Sequence, residues 1–451
     1  MGLPFFSGYT GDPINMKRQV AAQATRGLPA TAAFRDFTAA GGPLAISPQV
    51  IERLAINPGG APLVPLVGKT NLGGGPLAPI DVDPNDYGLI HFLANLFGKY
   101  AVANVTGAAE RWRFALDKAT PGPGLLSMRG FNDVIPETRF HDLLIGGAEI
   151  VAAPGENFAV QFPFVFGGYY FGGVAEQETG AASTLPVLRK TWPGNWAEDD
   201  DADIWIKFLT DNADGTWEVQ AGLGSSTVEP TFSDTRTLTE GVWFRLHNTD
   251  GSRIGVKAEQ PEAFVPVGAT LAELDVFRIP KRATPFTPAL GASQAISSVN
   301  TSFILDGEET RVEGGWTVSL AWDTLEARPD TAGRQSATVR RAGQLRAIVT
   351  PTRDLVDLTL QQALHERQPI SVVIDAETDV MIGATALPYR ILVVLPACTP
   401  RGDLFDAEAG AANRDESLEL VAGDPDATFT YDGLDFDSHA EIVVVNGRSA
   451  L

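Results

Sequence analysis

The chain has 451 residues, about three times the ~150-residue prior for one domain, and its 20% charged and 44% hydrophobic content is globular, which excludes a disordered chain. A net charge of −22 and a pI near 4.6 argue against a surface that holds nucleic-acid phosphates, because such a surface gains affinity by replacing counterions with Lys and Arg. The single cysteine, Cys398, excludes an intramolecular disulfide framework and a multi-cysteine metal knuckle, and fits folding in a reducing cytoplasm.

Forty-six glycines and thirty-one prolines punctuate short runs rich in Val, Phe and Thr, a pattern that predicts a mainly β fold. The N-terminus has no basic start followed by a signal-length apolar run, and nowhere do about eighteen apolar residues run together, so neither export by that route nor a membrane span is expected. Residues 1–74 read as an arm, with "INMKRQVAAQA" and "SPQVIERLAI" as brief helical candidates.

At residues 75–97 "GPLAPIDVDPNDYGLIHFLANLF" reads as a strand, a proline turn and an amphipathic helix, and "GQLRAIVTPTRDLVDLTLQQAL" at 343–364 reads the same way. One offset of 267 pairs Pro84 with Pro351, Leu93 with Leu360, Val105 with Val372, Ala109 with Ala376 and Glu110 with Glu377. Each helix is expected to bury one stripe: Leu89, Leu93, Leu96 and Phe97 in the first, Val356, Leu360, Ala363 and Leu364 in the second. Further on, "AEIVAAPGENFAVQF" resembles "LELVAGDPDATFTY" at an offset of 270, so the pattern predicts a duplicated unit.

Between the copies, Ile204, Ile206 and Phe208 alternate, as do Trp217, Val219 and Ala221, then Val242, Phe244 and Leu246, with "NADG" and "NTDGS" as tight turns. This predicts an antiparallel module bounded by "TWPGNW" and "PKRATPFTPALG". The expected division is 1–190 for the arm and first unit, 191–285 for the inserted module and 286–451 for the second unit. The polar stretch "DTLEARPDTAGRQSATVRR" fits a long hairpin tip.

Chemical signatures are sparse. His91, His141, His247, His365 and His439 are dispersed without HxH or HExxH spacing, and His91 and His365 read as helix-surface or boundary residues. No GxSxG elbow, Walker loop or GxGxxG fingerprint occurs, and Cys398 reads as a half-buried structural residue. The run "EDDDAD" offers Asp199, Asp201 and Asp203 as calcium ligands, set against a solvated acidic patch. No catalytic residue and no cofactor are expected, and "RGD" at 401–403 reads as a turn.

The strand–proline–helix of Pro84 to Phe97, its second version at Pro351 to Leu364, and "SVVIDAETDVMIGATALPYRILVVLPACTPRG" together resemble the major tail tube proteins of long, flexible-tailed bacteriophages. That resemblance implies two β-sandwich units, each with one packed helix, and an immunoglobulin-sized decoration between them. It further implies trimeric rings of pseudo-sixfold symmetry, stacked around an acidic lumen that passes DNA without specific binding. Residues 325–341 are then candidates for contacting the next ring. Implied partners are further copies and the tape-measure, baseplate and terminator proteins, in the virion tail and, before assembly, the host cytoplasm. Two other readings are a carbohydrate-binding or baseplate-type protein gripping sugar through Trp205, Trp217 and Trp243, and a polysaccharide hydrolase acting through paired carboxylates.

Overall fold

The computed structural model describes residues 17–24, 26, 30, 33–37, 49–53, 66–70, 73–76, 80–131, 138–174, 176–180, 185–190, 203–225, 227–232, 234–246, 262–279, 294–329, 337–354, 359–402, 415–416 and 418–451. They are mainly β, as the composition predicts, arranged chiefly as a 14-stranded, a 10-stranded and a five-stranded sheet. Two α-helices accompany them: α1 at Tyr87–Phe97 and α2 at Thr359–Glu366.

The two early helical candidates are strands instead. Lys17–Gln23 zips antiparallel to Leu125–Phe131, and Gln49–Arg53 pairs with Leu66–Thr70. Val20 enters the main core while Gln19 and Gln23 stand on the opposite side of the strand. So short a segment has too little helical stability of its own to resist a strand partner.

Helix α1 starts at Asp86, whose side chain accepts the Gly88 N–H at 2.6 Å, and ends at Gly98, whose φ of 70° lets its N–H reach the Ala94 carbonyl at 3.0 Å. Instead of one stripe, every residue from Gly88 to Phe97 is buried, as an apolar surface on all sides requires. Helix α2 buries only Leu360, Gln361 and Ala363, and Val356 of its expected stripe lies outside the described residues.

The paired prolines stand in different settings. Pro84 occupies the second position of a turn closed by Asp86 N–H to Asp83 C=O at 3.0 Å, three residues before α1. Pro351 is the last residue of the strand Ala337–Pro351, opposite Trp316 and eight residues before α2. Leu93 and Leu360 are both fully buried in one apolar cluster. Glu110 is the second residue of the strand Ala109–Phe114, whereas Glu377 is the eighth of the longer strand Ile370–Met381, so the offset does not survive the first hairpin. Gly147–Ala152 and Glu419–Ala422, the later matched pair, flank opposite sides of one long hairpin, Trp316–Pro329 with Ala337–Pro351.

That hairpin ties the chain together. One apolar cluster runs from Val20 to Val444, and the C-terminal strand Glu441–Asn446 lies between Pro388–Arg401 and Ala109–Phe114, so early and late segments share one sheet. The middle module has its own cluster of Ile204, Ile206, Phe208, Trp217, Val219 and Ala221. Leu246 is buried with them and Phe244 packs alongside, but Val242 is 55% exposed. The strands Val187–Lys190 and Glu262–Phe264 extend the 10-stranded sheet, and Ala263 and Val265 close the module's core. The "NADG" turn is tight, with φ of 58° at Ala213 and 80° at Gly215. The "NTDGS" turn, "TWPGNW" and "PKRATPFTPALG" fall outside the described residues.

A buried polar joint holds α1 against the long hairpin. Asn95 Oδ1 accepts the Ile145 N–H at 2.8 Å and its Nδ2 donates to the Pro123 carbonyl at 2.8 Å. Trp322 Nε1 donates to Leu96 C=O at 3.0 Å, and Arg341 donates to Asn95 C=O while lying 5.1 Å from the Trp322 ring centre. Burial lowers Arg341 to about 10, which still leaves it a cation at neutral pH, favourably placed at a helix C-terminus.

Asn95→Ala leaves the Ile145 N–H without its acceptor and is expected to cost roughly 2–3 kcal/mol in chemical denaturation. His91, expected at a helix surface, is buried, and its Nδ1 donates to Tyr87 C=O at 2.7 Å. Burial pushes its pKa down from 6.5 to about 4. The unfolded chain therefore takes up the proton first, and stability falls as pH drops from about 6.5 to about 4, by about 3 kcal/mol in all. His91→Gln should flatten the pH dependence of the denaturation midpoint across that window.

Candidate assembly surfaces

Five strands of the large sheet stand side by side in the order Ile370–Met381, Pro388–Arg401, Glu441–Asn446, Ala109–Phe114 and Lys99–Thr106. Alternation sends Ile374, Val393, Val444, Trp112 and Phe114 into the main core. The opposite face carries Val373, Leu392, Val394 and Val443, which the hairpin Phe429–Tyr431 with Leu434–Phe436 covers through Phe436.

Cations on that covered face are neutralised where they are buried. Arg390 donates to Asp375 and to Asp432; burial alone lowers its pKa, but these bonds outweigh it and hold Arg390 above its ordinary value. Tyr431 donates to Asp375 at 3.0 Å, and burial together with that carboxylate pushes the phenol up to about 12. Glu441, fully buried, meets Arg113 and, at 2.9 Å, Lys118.

Both lateral edges of this five-strand stretch are open over part of their length. Lys99–Thr106 has an outer partner only at Lys99 and Tyr100, so from Ala101 to Thr106 its outer side is unpaired among the described residues. Ile370–Met381 has Thr301–Leu305 on its outer side up to Ala376, so Glu377–Met381 is likewise unpaired there. Val102 (41% exposed) and Val105 mark the first edge; Val380 (49%) and Met381 mark the second. The first edge reads "AVANVT", without charge or proline, and a bulge after Asn104 is its one device against pairing. The two hairpin turns meet at one end of the sheet, where a Cβ on Gly107 would sit 3.3 Å from Thr385.

The sequence-derived site residues scatter. Asp203 begins a strand and pairs with Arg278 at 2.8 Å, and Arg278 also meets Glu178 at 2.6 Å. Asp199 and Asp201 lie outside the described residues, and among those described no three His, Cys, Asp or Glu gather to hold a metal. In the "NADG" turn, Asp211 accepts the Ala213 N–H at 2.8 Å and Asp214 accepts the Thr216 N–H at 3.0 Å, which satisfies the turn by itself.

His141 is buried 3.2 Å from Asp142, His439 contacts Leu345 C=O at 2.8 Å, His365 is exposed in the last turn of α2, and His247 is outside the described residues. Cys398 is fully rather than half buried, and burial pushes its thiol up to about 12. Of "RGD", Arg401 and Gly402 are exposed at a strand end and Asp403 is outside the described residues. Among the described residues no helix is long and apolar enough to cross a membrane.

The open edges escaped sequence reading because pairing is a long-range property; their one local signal is the uncharged "AVANVT". Compared with known proteins, the chain matches no family model, and no curated protein matches it.

Proposed function

We propose that the chain is a structural subunit of a phage tail tube, joining copies of itself edge to edge into closed rings that stack around a channel for DNA. The observation that carries this reading is the pair of open edges on opposite sides of one sheet. Successive antiparallel pairings across five strands leave Ile370–Met381 and Lys99–Thr106 running in the same direction. A rotation that carries one copy to the next keeps strand direction and brings the first edge of one against the second edge of its neighbour, a heterologous contact that closes as a ring.

Closure would bury Val102, Val105, Val380 and Met381 and remove the aggregation hazard that such edges pose. The net charge of −22 suits a channel that must not hold a polyanion. In this reading the partners are further copies and the other tail proteins, and three chains per ring is the expected number. Trp205 and Trp217 are buried and Trp243 lies 5.2 Å from the Phe264 ring, an arrangement that favours core packing over a sugar platform.

Electron microscopy and sedimentation of the purified chain at high concentration are expected to reveal rings or tubes, with interfaces above roughly 2,000 Å². A strictly monomeric particle would sink the reading. Val102→Lys combined with Val380→Lys alters two exposed positions, so the unfolding midpoint should stay within about 0.5 kcal/mol of the parent while assembly falls at least about tenfold.

A further inference from the structure

Val105 and Glu377 stand on the outermost two of the five side-by-side strands, yet both line one cavity of about 220 Å³. The sheet curls at that end, where its two hairpin turns meet, and the cavity lies in the curl on the face away from the main core. Leu392, Val443 and Val445 of interior strands make its floor, Leu387 a wall, and Leu434 of the small hairpin its roof.

The roof is fastened on both sides. Arg390 donates to Asp432 at 2.5 Å and Tyr431 to Asp375 at 3.0 Å, while Arg113 donates to Asp435 C=O at 2.6 Å and lies 5.1 Å from the Phe436 ring centre. The cavity is therefore held open as a preformed site without help from an occupant.

Cross-strand register sets Ala103, Arg111, Val445, Arg390 and Glu377 in one lateral row on this face, and alternation puts Arg113 on the same side as Arg111. Of these three arginines, Arg390 is answered by Asp375 and Asp432, and Arg113 by Glu441. Arg111 lines the cavity half-buried, and its side chain has no partner among the described residues. Glu377, the other unpaired charge of the lining, is exposed to solvent. A cation partly withdrawn from water beside an apolar floor lacks the counter-charge that offsets its desolvation.

We infer that this cavity binds a small monocarboxylate with a short aliphatic tail. Arg111 takes the carboxylate in a forked pair of hydrogen bonds, and the tail lies on Leu392, Val443 and Val445. The volume equals roughly seven waters, too little for a nucleotide or a sugar chain. Asp432 and Glu377 repel a second negative charge, which limits the ligand to one. Every lining residue belongs to a single chain, so the site goes beyond the ring reading and does not rest on it.

The test uses the full chain in dilute solution, titrated with hexanoate by calorimetry. Saturable, stoichiometric binding is expected, with affinity rising about fourfold per methylene from propionate to hexanoate. Arg111→Gln should weaken hexanoate at least about tenfold and leave the ligand-free unfolding midpoint at the parent value, since Arg111 gives up no bond. Leu387→Trp keeps Arg111 but fills the cavity and should abolish binding, which decides the matter if Arg111→Gln does not fold.

Equal binding of acetate and hexanoate, binding of hexylamine in place of hexanoate, or full binding by both variants overturns the inference. An acetylated tripeptide with a free carboxylate that binds at least about tenfold tighter than hexanoate gives the site to a protein partner and overturns it too. Hexanoate bound to a chain that never forms rings sinks the ring reading alone, and rings from a chain that ignores hexanoate sink this inference alone.

Discussion

Helix α1 has no solvent face, so the carbonyls of its last turn must find donors inside the protein. An orphaned buried carbonyl costs about 1–3 kcal/mol, and α1 would leave several. Gly98, Trp322 and Arg341 take three of them, and two of these donors belong to the long hairpin. The position of that hairpin is thereby set by the helix end. Through its two outer sides the hairpin in turn sets the strands Gly147–Ala152 and Glu419–Ala422. Arg341 is the costly member, since burial lowers its pKa; the ring of Trp322 and the negative end of the helix dipole offset that cost.

The other end of α1 is held by Asn446 and Arg448. Asn446 Nδ2 donates to Pro84 C=O at 2.6 Å, Arg448 Nε donates to Asn85 C=O at 3.1 Å, and Trp112 Nε1 donates to Arg448 C=O at 2.8 Å. The last strand thus closes the sheet between early and late segments and anchors the turn ahead of α1. Asn446 and Pro84 lie 362 residues apart in the chain, and so long-range a contact places the joint of the two halves late in folding. Arg448 also lies 4.2 Å from the Tyr87 ring centre, so the first residue of α1 is packed by the segment that directly follows the sheet-closing strand.

What was legible in the sequence follows the range of the forces involved. Helix α1 was visible because its signal is local: Leu89, Leu93 and Leu96 repeat at helical spacing after a proline turn, and the structure adds a cap at Asp86 and a stop at Gly98 over the same short range. The alternation of Ile204, Ile206 and Phe208 was visible for the same reason. Lys17–Gln23 was misread because its strand identity resides in Leu125–Phe131, more than a hundred residues away. The offset of 267 matched Leu93 to Leu360 but lost register beyond, since Lys99–Thr106 turns back after eight residues and Ile370–Met381 runs for twelve. Arg341 gave no signal at all: nothing in "VRRAG" announces that one arginine enters a helix end while its neighbour Arg340 stays exposed.

Charge placement on the five-strand sheet bears on why its edges stay open. The face opposite the core buries its cations only where carboxylates meet them, Arg390 with Asp375 and Asp432, and Arg113 with Glu441. Each pair sits on interior strands or beneath the small hairpin, where breaking it would leave a buried charge. The first outer edge, from Ala101 to Thr106, carries no charge. Adding a strand there removes water from backbone groups and valines without stripping the solvent from an ion. The second edge begins with Glu377 and Asp379 before Val380 and Met381. Two edges of the first kind would pair indiscriminately, whereas an uncharged edge against an acidic one favours the mixed contact over self-pairing of the acidic strand. In the proposed ring, this asymmetry disfavours a two-fold joint between two acidic edges.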